Sequence, residues 1–171
     1  AYIDAPVTGG TEGAKSGNLT IFTGGEEKHL QKVQKILSTI GNEIYHFGKV
    51  GIGQEVKAIN QILVAGTYAS LAEAIALGQK IDLPMNLVIK ALSTGAGDSW
   101  ALSNRSQAML HREYPLGFKV SLHKKDLNIS LKLAQEMGIK LPITEKVNKM
   151  EEDLIKLGFK DDDISSLREW I

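Results

Sequence analysis

The pattern of apolar and polar residues divides the chain near residue 50. Short apolar runs that stop at turn residues predict strands at Tyr2-Ile3, at 19–22 and at 43–47. Between the second and third runs, apolar residues recur every three or four positions and end at a glycine, which predicts a helix. These residues are Leu30, Val33, Leu37 and Ile40, followed by Gly41. Strands alternating with a helix are typical of an α/β sheet, but three short strands are too few to form a domain.

After Gly53 the spacing of apolar residues becomes helical. The stretch from Gln54 to Gln79 has no proline and is small or apolar on nearly every side, which predicts a buried helix about 39 Å long. Further helices are predicted at 85–92, 99–110, 120–137 and 143–157, with a short one after the acidic run 161–163. We therefore predict a mainly α protein, in which residues 1–50 end an α/β sheet and residues 51–171 form an all-helical domain.

Composition narrows the function classes. With 171 residues and 43% apolar content, the chain can bury a sizeable core. Twenty basic and twenty acidic residues give zero net charge, which does not favour nucleic acid or an anionic membrane, so we expect a small-molecule ligand. The absence of cysteine excludes disulfides, thiolate zinc sites and cysteine nucleophiles. The four histidines have no paired ligand spacing, and we expect no metal.

The chain begins inside a predicted strand, without an initiator methionine or a basic-then-apolar leader. No uninterrupted apolar run approaches the roughly 20 residues that a membrane span needs. We expect a cytoplasmic protein whose N-terminal portion is not in this sequence.

Two glycine-rich segments are candidates for anion binding. The segment 4–10 follows a strand, and its glycines expose backbone N–H groups beside the Thr8 hydroxyl. It could hold a carboxylate or phosphate, although a plain turn is the commoner outcome. The segment Gly51-Ile52-Gly53 opens a helix, but Val56 stands where a dinucleotide fingerprint has its third glycine. This second turn remains a helix N-terminus, where an anion is favoured.

Lys57, Asn60 and Gln61 follow at helical spacing, so all three side chains project from one face. Burial and the nearby helix N-terminus both disfavour a charged lysine, and such a lysine can exchange a proton with a hydroxyl. A lysine that extends into solvent is the alternative. The residues alone leave the two interpretations about equally supported.

These segments, in this order, resemble the β-hydroxyacid dehydrogenase family over essentially the whole chain. The segment 4–10 is similar to the family's substrate-binding segment, where serine is usual at the position of Thr8. The segment 51–61 is similar to the catalytic segment and implies that Lys57 is the acid/base. The resemblance implies that the substrate contacts are Thr8, Gly9, Gly10, Asn60 and Gln61.

The segment 118–127 is similar to the family helix that lies near the cofactor. The resemblance implies that Phe118, Lys125 and Asp126 contact NAD or NADP, although Lys125-Asp126 read alone would be a solvated pair. Residues 97–100 resemble a pocket-lining turn, and core packing of Trp100 explains them equally well. The family's Rossmann-type domain carries the residues that choose between NAD and NADP. Residues 1–50 resemble its last strands, so the choice stays open.

The resemblance implies an NAD(P)-dependent oxidoreductase that interconverts a short β-hydroxyacid and its semialdehyde, and a homodimer or homotetramer. The segment 118–127 favours a tartronate semialdehyde (2-hydroxy-3-oxopropionate) reductase. Dehydrogenases of 3-hydroxyisobutyrate or of succinic semialdehyde/4-hydroxybutyrate are the alternatives. 6-Phosphogluconate dehydrogenase places an acidic residue seven positions after its lysine, where this chain has Val64. A non-catalytic helical dimerisation module would be expected to lose Lys57. We expect no reductase activity from the 171 residues alone, because the main cofactor domain is absent from them.

Overall fold

A computed structural model describes residues 1–171, which form two compact units, Ala1–Asn60 and Gln61–Ile171. The first unit contains strands β1 (Val7–Thr8), β2 (Thr20–Thr23) and β3 (Glu43–His46). It also contains helices α1 (Gly10–Ser16) and α2 (Glu27–Leu37). Strand β2 is central, antiparallel to β1 and parallel to β3. The division between the units falls inside helix α3 (Ile52–Lys80), and the domain boundary at residue 50 remains a sequence-based prediction.

The predicted strand at Tyr2-Ile3 is wrong. Only Asp4 pairs there, through a single bridge to Gly24, and β1 begins at Val7. Pro6 separates the two because proline has no N–H to donate to a sheet. The other two predicted strands are confirmed to within about a residue as β2 and β3.

Helix α1 was not predicted from the sequence, where 4–17 reads as a glycine-rich loop. Gly9 and Gly10 have φ angles of 124° and 63°, and this backbone turns the chain from β1 directly into α1. Gly17 ends the helix in the left-handed conformation, with φ 68°. Residues with side chains rarely adopt these φ angles, which accounts for the density of glycine in the segment.

The second unit is helical throughout. It continues α3 and adds α4 (Met85–Leu92), α5 (Trp100–His111), α6 (Val120–Glu136) and α7 (Pro142–Lys156). Two 3₁₀ turns, Phe159–Asp161 and Ile164–Glu169, complete the chain. One hydrophobic core joins these elements, and its fully buried members include Ile75, Met109, Val120, Leu127, Leu154 and Leu167. The predicted mainly α fold is confirmed, with helix ends within about two residues of those expected.

Helix α3 is long and apolar enough to cross a membrane, judged by length and composition alone. No uninterrupted apolar run reaches the length of a membrane span, but α3 meets the criterion as an average along the helix. The observation is weak evidence for a membrane. Core helices of soluble proteins pass the same test, and Tyr68, Leu71, Ala72 and Ile75 of α3 lie in the core of the second unit.

Candidate active site

Asp4 fixes the start of α3 in the first unit. Its buried carboxylate accepts hydrogen bonds from the backbone N–H groups of Gly51 (2.7 Å) and Gln54 (3.1 Å). These are N–H groups at the beginning of a helix, which lack partners within the helix and favour negative charge. The turn therefore binds an anion, as its position predicts, but the anion belongs to the protein itself.

The substrate segment predicted from the sequence lies where β1 meets α1. Thr8 ends β1 and is half-buried, whereas Gly9 and Gly10 are exposed. The Asn60 side-chain nitrogen lies 3.5 Å from the Thr8 hydroxyl oxygen, at the limit of a hydrogen bond. The structure thus brings together Thr8 and Asn60, two residues separated by most of the first unit in sequence.

Lys57 lies on α3, three residues before Asn60 and therefore on the same side of the helix. The side chains of Lys57 and Asn60 are both half-buried, while Ala58 between them is buried. An amine, an amide and a hydroxyl are thereby available within the first unit. Such a set can hold a hydroxyl-bearing substrate and exchange its proton.

Gln61 begins the second unit and is almost fully buried. Its side-chain nitrogen donates a hydrogen bond of 2.9 Å to Oδ2 of Asp126 on α6. The other oxygen of Asp126, Oδ1, lies 2.9 Å from the Lys125 ammonium. Lys125 and Asp126 therefore do not form a fully solvated ion pair, because Asp126 is mostly buried while Lys125 is 63% exposed.

Phe118 lies two residues before the start of α6 and is half-buried against the core of the second unit. Its ring meets the imidazole of His123 edge-on, with 5.4 Å between centroids. Its backbone N–H donates a 2.8 Å hydrogen bond to Asp163. The three predicted cofactor residues, Phe118, Lys125 and Asp126, thus occupy the first two turns of α6 and the residues before it.

Trp100 at the start of α5 is 54% exposed, so it does not pack in the core. The Arg105 guanidinium lies over its ring, 4.8 Å from the centroid. The resemblance to a pocket-lining turn remains a prediction for residues 97–100.

The sequence interpretation missed a buried polar pair in the second unit. Nδ1 of His123 lies 2.5 Å from Oε1 of Glu151, and both side chains are fully buried. A signal was available, because His123 falls at the three- and four-residue spacing of the buried positions of α6, which are Val120, His123, Leu127, Ser130 and Ala134. Elsewhere, no group of three or more histidine, aspartate or glutamate side chains is arranged to hold a metal ion.

Two known family models match the two parts of the chain. Residues 51–171 match the family model described as the NAD-binding domain of NADP-dependent 3-hydroxyisobutyrate dehydrogenase. The chain belongs to the β-hydroxyacid dehydrogenase family. Residues 1–48 match a second family model, the NAD-binding domain of 6-phosphogluconate dehydrogenase. Both models describe NAD-binding domains, which confirms the expected cofactor class of the family, NAD or NADP.

Individual relatives support the same membership. The chain is 36% identical to 2-(hydroxymethyl)glutarate dehydrogenase of Eubacterium barkeri, over 97% of the chain and 56% of that protein. It is 37% identical to 2-hydroxy-3-oxopropionate reductase of Escherichia coli, over 84% of the chain and 49% of that protein. A crystal structure of 3-hydroxyisobutyrate dehydrogenase from Salmonella typhimurium superimposes with a TM-score of 0.90 at 27% identity, over 99% of this chain and 60% of that one. The chain therefore spans from about half to three fifths of the length of these proteins.

Proposed function

We propose that the chain is part of an NAD(P)-dependent dehydrogenase that interconverts a short β-hydroxyacid and its semialdehyde. The observation that carries this proposal is the placement of Lys57 on the same side of α3 as Asn60, whose amide reaches the hydroxyl of Thr8. A lysine amine on the same helix face as a side-chain amide is suited to handle the proton of a substrate hydroxyl. The family membership supports the same chemistry.

In the direction of oxidation, the Lys57 amine takes the proton of the substrate hydroxyl as the carbon–oxygen double bond forms. A bound NAD or NADP would supply the acceptor for the hydride that leaves the same carbon. In the direction of reduction, the Lys57 ammonium returns the proton to the oxygen. Positioned acid/base groups of this kind typically accelerate a reaction by about 10² to 10⁴.

The remaining site residues hold the reactants. The hydroxyl of Thr8, the backbone N–H groups of Gly9 and Gly10, and the side-chain amide of Asn60 are proposed to bind the substrate's carboxylate and hydroxyl. Gln61 was predicted to bind the substrate as well, but its side chain is almost fully buried and its amide donates to Asp126, so the role proposed for it is to hold Asp126 on α6. In the second unit, Phe118, Lys125 and Asp126 are the residues that would hold the cofactor. They fit such a group, because Lys125 presents an exposed cation whose position is fixed by the mostly buried Asp126.

The substrate we favour is 2-hydroxy-3-oxopropionate, with 3-hydroxyisobutyrate and succinic semialdehyde/4-hydroxybutyrate as alternatives. The relative from Eubacterium barkeri adds a hydroxymethyl diacid to this group. Val64 provides no carboxyl at the position that decarboxylating relatives use, which supports simple oxidation and reduction. Assays of the natural protein that carries this chain, with a panel of these acids and semialdehydes and with NADH and NADPH separately, test the choice.

Substitution of Lys57 tests the mechanism. In the natural protein, we expect Lys57→Ala to lower turnover by at least about a hundredfold while nucleotide affinity stays nearly unchanged, because only proton transfer is lost. Lys57→Arg is the matched control for charge, since its guanidinium keeps the charge but does not release a proton near neutral pH. It should be as inactive as the alanine variant. Normal turnover in either variant would remove Lys57 from the mechanism.

We also propose that the protein assembles with a second copy of itself through α3. Within the second unit, exposed positions of this helix and its end recur at alternating spacings of four and three residues. They are Leu63, Ser70, Ala74, Leu77 and Ile81, with half-buried Thr67 between the first two. A stripe with this spacing is the pattern by which two helices pack along their length.

A further inference from the structure

Two residues of α6 contact the same residue of α3. Nε2 of His123 lies 3.4 Å from the backbone carbonyl oxygen of Gln61, and the carboxylate of Asp126 accepts the hydrogen bond from the Gln61 side chain. His123 and Asp126 are three residues apart and therefore lie on one side of α6. Gln61 is thus held at both its main chain and its side chain by one helix.

The surroundings of the imidazole restrict where its protons lie. Nδ1 faces a carboxylate oxygen of Glu151, and Nε2 faces a carbonyl oxygen, which can only accept. A hydrogen bond across this 3.4 Å contact requires the proton to lie on Nε2, because an unprotonated nitrogen would place a lone pair against the carbonyl. The proton in the short bond to Glu151 lies either on Nδ1 or on the carboxyl, and the pair as a whole is neutral in both arrangements.

This pair is enclosed by the second unit. His123 and Glu151 are fully buried, and Oε2 of Glu151 has no hydrogen-bond partner. Leaving a buried carboxylate oxygen without a partner costs free energy that a purely apolar pair would not cost. The polar contacts run from Glu151 through His123, Gln61 and Asp126 to exposed Lys125, so a network buried at one end reaches the surface at a proposed cofactor residue.

We propose that His123 is a positioning residue, whose Nε2–H fixes Gln61 against α6 and so holds Asp126 and Lys125 in the arrangement that receives the cofactor. Its role in the reaction rests on the proposed function, whereas its contact with Gln61 does not. Glu151 orients the ring from the opposite side.

The protonation of the ring is tested directly on the chain by nitrogen-15 NMR of the histidine side chains at neutral pH, with assignment by His123→Gln. We expect Nε2 of His123 to be protonated. In Glu151→Gln, whose amide can donate to Nδ1, Nε2 should keep its proton while Nδ1 loses any that it carried. An unprotonated Nε2 in the unsubstituted chain would overturn the proposal.

The positioning role is tested in the natural protein with a pair of substitutions that preserve different halves of the imidazole. A glutamine amide places a donor near the position of Nε2, and an asparagine amide places one near Nδ1. His123→Asn should raise the KM for the nucleotide at least about tenfold, with a smaller change in kcat. His123→Gln should keep this KM close to that of the unsubstituted enzyme.

Leu127→Ala is the control, because Leu127 is fully buried on the same helix and its removal weakens packing without touching the polar contacts. It should lower the melting temperature without raising the KM for the nucleotide. If all three variants raise this KM in proportion to their loss of stability, or if none does, His123 has no positioning role. A normal Lys57→Ala enzyme would instead contradict the proposed function and leave the NMR result standing.

Discussion

Asp4 supplies the negative charge for which the turn before α3 is suited. In the sequence, this turn resembles an interrupted dinucleotide fingerprint. The structure gives a different reason for its second glycine, Gly53, which does not involve a nucleotide. A Cβ atom on Gly53 would lie 2.5 Å from the Phe22 carbonyl oxygen and 2.7 Å from Oδ2 of Asp4. The glycine therefore makes room for the buried carboxylate. The pairing could not be predicted from the sequence, because 47 residues separate Asp4 from the first N–H group that it binds.

Removal of this carboxylate should destabilise the first unit. We expect Asp4→Ala to lower the free energy of unfolding by about 1–2 kcal/mol, because it leaves two N–H groups at the helix start without their acceptor. Urea denaturation measures the change. Glu26→Ala is the control, since Glu26 precedes α2 but does not cap its backbone N–H groups, and its exposed carboxylate pairs only with the exposed Lys28 ammonium. Equal losses in the two variants would contradict the capping role.

Thr8 is the residue at which the substrate proposal can be tested most finely. Thr8→Val keeps the shape of the side chain but removes the hydroxyl, and we expect it to raise the KM of the carboxylate substrate about tenfold in the natural protein. Thr8→Ser keeps the hydroxyl and should change the KM little. An unchanged KM in the valine variant would exclude Thr8 from the substrate site.

At the scale of elements, the start of α6 depends on a residue distant in sequence. One oxygen of buried Asp163 accepts hydrogen bonds from the backbone N–H groups of Gly117 (2.9 Å) and Phe118 (2.8 Å). The other accepts from both the N–H and the hydroxyl of Ser165. The acidic run was interpreted as a helix N-terminus, and Asp163 confirms that interpretation by capping the last 3₁₀ turn. Its second role, holding the segment before α6, has no local signal in the sequence.

The three aspartates of this run should differ sharply in their contribution to stability. We expect Asp163→Ala to lower the free energy of unfolding by about 3–5 kcal/mol, because it removes a buried carboxylate near the Arg105 guanidinium together with its hydrogen bonds. Asp162→Ala should change little. Asp161 is exposed, and the hydrogen bond from Lys119 lowers the pKa of its carboxyl. Thermal unfolding of the three alanine variants measures how much stability each aspartate contributes. A similar loss of stability in all three would contradict the special role of Asp163.

The elements that the sequence predicts well are those whose signals are local. The helices α4 to α7 combine apolar spacing with proline, serine or glycine at their ends, and Ser99 caps α5 as a serine before a helix is expected to do. The errors lie where distant residues decide the structure. The bridge between Asp4 and Gly24 replaces a strand, and Gln61 has a side-chain partner 65 residues away. The proposed cofactor residues followed from family resemblance, because an exposed lysine beside an aspartate carries no local signal of its own.

At the scale of the whole molecule, α3 carries a stripe of exposed positions that has no partner within one chain. Leu63 and Leu77 are 65% and 63% exposed although they belong to the longest and one of the most apolar helices. Exposed apolar residues grouped along one helix face commonly mark a protein interface. We expect the chain to be a dimer or larger in solution and to bind NADH only weakly, since the residues present include no glycine fingerprint.

Light scattering of the chain, with a parallel nucleotide titration, tests this expectation. Leu63→Lys combined with Leu77→Lys should produce a folded monomer, because each buried lysine would place an unpaired charge in the interface. Leu157→Lys is the control, since Leu157 is 64% exposed but lies after the end of α7, away from the stripe in sequence. It should leave the assembly intact. A stable monomer of the unsubstituted chain would exclude the α3 interface, and micromolar binding of NADH by that monomer would show that these 171 residues contain a sufficient nucleotide site.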